Sequence, residues 1–262
     1  MGMGMGMNVQ EAAVEAQLAI GLASQQPSLP ADSLLALWQQ AVADSGERPA
    51  FTCLGQTLSY AEIDQLAERI AGYFHTQLKL VAGDRLAIQL PNLLQYPIVV
   101  VAAWKLGLVI VNTNPMYTHR ELVHQFNDSG AKAVVVLDQF YDTLQAALPE
   151  TGIEHVVVTR AIDLLPQPKK TVLAAVTQLL GKRPRLPAEG IVSFTDMLAG
   201  QSTYPSHTPA YEDICALQYT GGTTGVSKGV MLTQGSLMSN VAQTLAMVSS
   251  GGRSVKYFTT VS

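Results

Sequence analysis

Between Asp84 and Arg160 the hydrophobic and polar positions alternate between two patterns. The runs 85-RLAIQLP-91, 108-LVIVNTNP-115, 132-KAVVVLD-138 and 153-IEHVVVTR-160 are short, rich in Val and Ile, and not interleaved with polar residues. Strands of that kind are covered on both faces. Between them lie 94-LQYPIVVVAAWKLG-107, a segment opened by 118-THRE-121 and ending near 127-NDSG-130, and 139-QFYDTLQAAL-148, all with helical spacing. Strand, helix, strand at this pitch predicts an α/β fold with a doubly wound, mostly parallel sheet.

The chain before Asp84 predicts helices and a hairpin. Residues 32–46 carry apolar positions at helical spacing, with Asp32 or Ser33 placed to cap the start and Gly46 to stop it. The segment 50-AFTCLGQTLSY-60 predicts two short strands turning at Gly55 and Gln56. A capping box, 59-SYAE-62, follows: Ser59 takes the third helical amide and Glu62 reaches back, opening a helix to about Leu78. Residues 11–23 are helix-like, and the Met-Gly repeat before them matches neither a secretory signal nor a myristoylation site. Residues 1–30 are set apart as a leader, disordered or partly helical.

Residues 161–210 break the rhythm. Within 164-LLPQPKKTVLAAVTQLLGKRPRLP-187 stand Lys169, Lys170, Lys182, Arg183 and Arg185, and no acid. These are five of the chain's 16 Lys and Arg, in a protein of formal net charge -4, so the cluster is local rather than global. The TVLAAVTQLL between the basic groups has helical spacing. Two readings stand: a surface helix with solvated ends, or a helix lying on an anionic bilayer. No run spans a membrane, since the longest, 98–111, is short and broken by Lys105 and Gly107. With 48% hydrophobic and 14% charged residues among 262, a sizeable core is expected and a nucleic-acid partner is not. Cys53 and Cys215 lie far apart and read as reduced thiols.

The candidate chemistry follows a predicted strand, 214-ICALQYT-220. The residues 219-YTGGTTGVSKGV-230 concentrate glycines, hydroxyls and one lysine. Glycines let backbone amides approach an anion closely, hydroxyls add donors that rotate to suit it, and Lys228 supplies a point charge. A helix over 235–249 is expected directly after, giving strand, turn, helix. The Walker pattern fails because Lys228 follows Ser227 and precedes Gly229, and GxGxxG is absent. The reading is a triphosphate- or pyrophosphate-handling loop of another kind.

The string LQYTGGTTGVSKGVMLT resembles the signature loop of the adenylate-forming enzymes, and within them is most similar to bacterial long-chain fatty acid:CoA ligases. The segments 58–71 and 83–136 match in the same order, with the NTNPMYTHREL block favouring the fatty-acid branch. The resemblance implies the N-terminal part of an AMP-binding domain over 31–262, with a basic amphipathic insertion at 161–210. It implies ATP and Mg²⁺, a fatty acid, and CoA as co-substrate. ATP would be held by Tyr219, Thr220, Gly221, Gly222, Thr223, Thr224, Gly225, Val226, Ser227, Lys228, Gly229 and Val230. It also raises the bilayer reading of Lys169, Lys170, Lys182, Arg183 and Arg185, and so implies a cytoplasmic protein held peripherally on a membrane. A homodimer, a different carboxylate, a carrier-protein acceptor and a non-catalytic binding module all stay open. The chain departs from the family at Gln234, Gly235 and Ser236, where a histidine and a basic or polar pair are usual. Later family elements that complete the site, including a C-terminal domain bearing a lysine, are not in these 262 residues, so no catalytic or metal-binding residue is assigned.

Other residues attract bland readings. His119 and His124 lie five apart, a poor fit to metal ligation on a helix, and read as solvated or packed. Tyr96, Trp104 and Tyr117 read as core. For Tyr219, at the mouth of the loop, packing and nucleotide contact stay open.

Overall fold

The computed structural model describes residues 31–179, 186–187, 189–220 and 227–250, with backbone only for 247–250. The helix-like segment 11–23 and the rest of the 1–30 leader lie outside the described residues. Helix α1 spans Leu34–Ser45 and is capped by Ser33, whose hydroxyl accepts from the Ala36 amide at 3.1 Å. Strands β1 (Pro49–Cys53) and β2 (Gln56–Ser59) form an antiparallel hairpin. Its turn residues are Leu54 and Gly55, at φ 52° and 73°. That is one residue earlier than the sequence pattern placed it. A type I′ two-residue turn needs positive φ at both central positions to match strand twist, and Leu54 accepts that conformation. Helix α2 (Tyr60–Thr76) starts at the expected capping box, with Ser59 N donating to Glu62 Oε2 at 2.8 Å and Glu62 N to Ser59 Oγ at 3.2 Å.

The alternating region follows as β3 (Arg85–Gln89), α3 (Gln95–Leu106), β4 (Val109–Asn112), α4 (His119–Ser129), β5 (Ala131–Leu137), α5 (Tyr141–Ala147) and β6 (His155–Thr159). Gly107 and Gly130 close α3 and α4 in left-handed conformations, as helix-ending glycines do. The remainder holds α6 (Lys169–Leu179), β7 (Val192–Ser193), α7 (Phe194–Met197), β8 (Ile214–Thr220), β9 (Lys228–Thr233) and α8 (Gln234–Ser250). One sheet has the order β7-β6-β5-β3-β4-β8-β9, parallel throughout except for the antiparallel β8–β9 pair.

Successive residues of the central strand serve opposite layers, as the pleat requires. Leu86 and Ile88 join a core with Ile63, Ile70 and Phe74 of α2 and Ile98 of α3. Ala87 joins another with Leu122 and Phe126 of α4 and Leu144 of α5. Both faces are thus covered, which is why the strands lack polar alternation.

Strand β9 corrects the sequence reading. The chain does not run from loop to helix; Lys228 to Thr233 form a strand first, paired with β8 through Thr220 with Lys228 and Tyr219 with Gly229. The segment KGVMLT hid this, because Val230 and Met231 are 47% and 66% exposed and it lacks the signature of a doubly covered strand.

A buried cation ties the first layer together. Lys105 of α3 meets Asp64 of α2 at 2.9 Å and Glu68 at 3.5 Å, while Trp38 Nε1 of α1 donates to the same Asp64 oxygen at 2.8 Å. Burial pushes the Lys105 ammonium down, but the hydrogen bond and charge of Asp64, with weaker help from neighbours, hold it above its ordinary value. Beside this cluster the chain around Gln201–His207 lies across α2 and α3. It can do so because Gly72 and Gly107 lack side chains: a Cβ at Gly72 would come within 2.9 Å of Thr203 N, and one at Gly107 within 2.7 Å of the His207 ring.

Candidate active site

A cavity of about 1110 Å³ opens at the carboxyl ends of β3, β4 and β8. This lies where the sheet order doubles back from β4 across β3 to β5, the position at which open α/β sheets bind ligands. Asn112 and Gln218 are register partners on β4 and β8, and Asn112 Nδ2 donates to Gln218 Oε1 at 2.9 Å. Tyr96 Oη of α3 donates to Asn112 Oδ1 at 2.8 Å, extending a polar ladder along the cavity wall. Burial raises the Tyr96 phenol above its ordinary value, partly offset by that bond, so it stays a donor at neutral pH. Tyr96 and Tyr117 therefore line the cavity rather than serving only as core, whereas Trp104 packs against the first layer as expected.

Helix α4 forms the opposite wall. Its start is fixed by a capping box in which Thr118 N and Oγ1 donate to Glu121 Oε2 at 2.8 and 2.7 Å. Arg120 and His124, one turn apart, both line the cavity. His124 Nε2 stands 2.8 Å from Ser227 O, so this ring carries its proton on Nε2 and donates to the residue that precedes β9. His119 points elsewhere, to Glu150 at 3.0 Å. The sequence reading treated the two histidines alike. Their distinction is tertiary, since nothing in the local pattern says that Ser227, 103 residues on, lies beside one of them.

The glycine-rich segment is anchored at both ends by the hairpin. Tyr219 and Thr220 end β8; Lys228, Gly229 and Val230 begin β9; Gly221, Gly222, Thr223, Thr224, Gly225 and Val226 lie outside the described residues. Tyr219 is a packing residue at its hydroxyl end. Its Oη donates to Asp128 Oδ2 at 2.6 Å, and burial followed by this bond to a carboxylate raises the phenol well above its usual range. A Cβ at Gly229 would lie 2.9 Å from the Tyr219 ring, so the glycine here makes room for an aromatic side chain. Thr220 and Lys228, one residue along each strand, are register partners and project from the face opposite Tyr219.

The residues at 234–236 each meet a specific contact in the fold. Thr233 and Ser236 cap α8 reciprocally, Thr233 N to Ser236 Oγ at 3.0 Å and Ser236 N to Thr233 Oγ1 at 3.1 Å. Gln234 is buried, and its Oε1 accepts from the Leu34 amide at the start of α1 at 3.0 Å. Gly235 sits beneath the Tyr211 ring, where a side chain would overlap it.

A carboxyl-end cavity, a two-stranded frame around a glycine-rich segment and a cation at its exit now have a decisive match: residues 38–260 fit the family described as AMP-binding enzyme. The chain belongs to that family. The chain is 40% identical over 215 residues to a long-chain-fatty-acid–CoA ligase of Haemophilus influenzae, across 81% of this chain and 38% of that protein. It is 38% identical over 216 residues to the corresponding ligase of Escherichia coli O6:H1, across 80% of this chain and 38% of that one. Among solved structures, a long-chain-fatty-acid–CoA ligase from Archaeoglobus fulgidus superposes with a TM-score of 0.65 at 25% identity, covering 86% of this chain and 41% of that one. The chain therefore spans about two fifths of the length of the proteins it matches.

Among the described residues, no group of three or more His, Cys, Asp or Glu side chains could hold a metal ion. Glu121 lines the cavity, but the carboxylate oxygen that closes the capping box is taken by Thr118. Hydrogen bonds from the Thr118 amide and then its hydroxyl hold the Glu121 carboxyl below its ordinary value. Of the basic residues assigned to a bilayer, Lys169 and Lys170 begin α6, and Lys182, Arg183 and Arg185 lie outside the described residues. No described helix is long and apolar enough to cross a membrane.

Proposed function

We propose that this chain is the nucleotide-gripping part of a long-chain fatty acid:CoA ligase. The observation that carries the reading is the β8–β9 hairpin at the rim of the carboxyl-end cavity, holding Thr220 and Lys228 as partners at the two ends of the glycine-rich segment. In the first half-reaction a fatty carboxylate oxygen attacks the α-phosphorus of ATP, the bond to the β-phosphate oxygen breaks, and pyrophosphate leaves with the negative charge. Backbone amides and hydroxyls of residues 220–227 and the Lys228 ammonium meet that growing charge, the kind of preorganised stabilisation that lowers a barrier. Mg²⁺ enters with ATP as part of the substrate and neutralises phosphate charge. In the second half the CoA thiolate attacks the acyl carbon and AMP departs. Tyr219 supports the hairpin from behind, and the Tyr96–Asn112–Gln218 ladder shapes the wall.

The test uses the chain produced with whatever sequence its gene adds after Ser262. Pyrophosphate release with oleate, compared with acetate and aromatic acids, is expected to favour oleate. Lys228→Ala is expected to slow that release by about 10²-fold, the scale of one lost transition-state donor. Release that is unchanged in Lys228→Ala, or that favours acetate, would overturn the corresponding part of the reading.

Peripheral attachment to an anionic bilayer through 164–187 belongs to the same reading. Helix α6 has no buried residue, and Val172, Val176 and Leu179 expose 58%, 43% and 88% of their surface along one stripe. An apolar stripe beside a basic, acid-free stretch complements a negatively charged lipid surface, where the enzyme's insoluble substrate would be found.

A further inference from the structure

The geometry points to His124 as a positioning residue for the phosphate-binding cation: by holding the Ser227 carbonyl it fixes where β9 begins, and so where Lys228 stands. The inference rests on the reading of Lys228 given above. A carbonyl oxygen only accepts, so the 2.8 Å contact requires a proton on His124 Nε2. A neutral Nε2–H ring and a protonated ring both meet that requirement, so the tie does not depend on one charge state.

The other end of the tie is rigid. Leu122 and Phe126 of α4 are buried in the second core layer, the helix is boxed at Thr118 and Glu121, and Gly130 closes it. Gln125, the next residue, is fully buried and donates through Nε2 to Asn112 O on β4 at 2.9 Å. Consecutive side chains of one helix thus reach two different strands: Gln125 fastens α4 to β4, and His124 carries that frame across the cavity to the chain entering β9. Helix α4 makes its second tie to the hairpin at Asp128, which takes the Tyr219 hydroxyl one turn further on.

The need for such a tie follows from the chemistry of lysine. An ammonium on a four-carbon stem is a movable point charge. It stabilises developing charge best when its backbone is already placed, and misplacement by about 1 Å is enough to matter. The peptide plane linking Ser227 to Lys228 is held on its carbonyl side by His124, while Lys228 pairs with Thr220 on β8.

The experiment compares His124→Ala and His124→Gln in the chain produced with whatever its gene adds after Ser262. Glutamine can place an Nε2 donor near the histidine's. Amide hydrogen exchange at Lys228–Val230 is read without ligand, and MgATP titration gives KM and kcat for pyrophosphate release. In His124→Ala, exchange at those amides is expected to rise and kcat for pyrophosphate release to fall, each about tenfold, the scale of one hydrogen bond, with KM for MgATP changed less than threefold. His124→Gln is expected to recover both, and thermal melting distinguishes a local effect from loss of the fold. Unchanged exchange in His124→Ala, or a kcat defect that glutamine does not relieve, overturns the inference. Faster exchange with normal MgATP kinetics in both His124→Ala and Lys228→Ala overturns instead the phosphate role of Lys228.

Discussion

Tyr219 Oη donates to Asp128 Oδ2 at 2.6 Å, and the same ring fills the space beside Gly229 on the neighbouring strand. One aromatic side chain therefore joins α4, β8 and β9. Tyr219→Phe keeps the ring and loses the bond; because Asp128 is exposed, the expected cost is about 1 kcal/mol of stability. Gly229→Ala would force a Cβ to 2.9 Å from the ring, and overpacking of that kind costs about 1–3 kcal/mol. Urea midpoints check both. A Tyr219→Phe protein with normal stability and a tenfold weaker grip on ATP would place the hydroxyl on the nucleotide instead.

Lys105 and Asp64 form a pair that is costly to break on one side only. Asp64→Ala leaves a buried ammonium and removes the Trp38 acceptor, with an expected loss of about 3–5 kcal/mol. Lys105→Met is expected to cost less, since both charges are not then stranded in the interior: Asp64 is the more exposed partner, at 19% against 7%. The sign of the pH effect follows from the raised ammonium. Its contribution is complete at neutral pH and is lost only as pH rises past the ordinary lysine range, about 10.4, toward the higher folded value. Chemical denaturation at pH 8 and pH 11 should show a smaller drop in Lys105→Met than in the parent chain.

Cys215 and Cys53 should differ in reactivity. Burial pushes the Cys215 thiol up to about 11, and its Sγ donates to Leu232 O at 3.3 Å, whereas Cys53 is half-buried. Since the thiolate is the nucleophile, iodoacetamide at pH 8 is expected to modify Cys53 well before Cys215 in the folded protein. The two should react alike in urea. Stability should also fall between about pH 8.5, where an unfolded thiol ionises, and about pH 11, because the folded state favours the neutral form. Cys215→Ala should flatten that part of the curve, and preferential labelling of Cys215 in the native state would contradict the packing described here.

Helix α6 gives a separate prediction. Val172→Ser with Leu179→Ser should weaken sedimentation with phosphatidylglycerol-containing vesicles, and neutral phosphatidylcholine vesicles should bind poorly even before substitution. Because Val172 and Leu179 are exposed, thermal stability should hardly change. Equal binding to neutral and anionic vesicles would remove the charge argument.

Much of this architecture is legible without coordinates. The covered strands β3 to β6, both capping boxes and the glycine stops of α3 and α4 follow from short-range patterns in Val, Ile, Ser, Thr, Glu and Gly. The hairpin turn was displaced by one residue because Leu54, not Gln56, takes the left-handed conformation. Strand β9 was missed because an edge strand with one open face carries no buried period, and its pairing is known only once β8 lies beside it.

By itself the sequence determined the parallel α/β layering, the glycine- and hydroxyl-rich segment and its single lysine, because local conformational preference and hydrophobic period depend on neighbours in the chain. Only the tertiary structure decided that Tyr219 turns to Asp128, that Gln234 serves the first amide of α1, and that His124 rather than His119 meets the segment's end. Those contacts join residues between 91 and 200 positions apart. Hydrogen bonds of such separation leave no periodic trace, since they are selected by where folded elements come to rest rather than by what stands next to each residue.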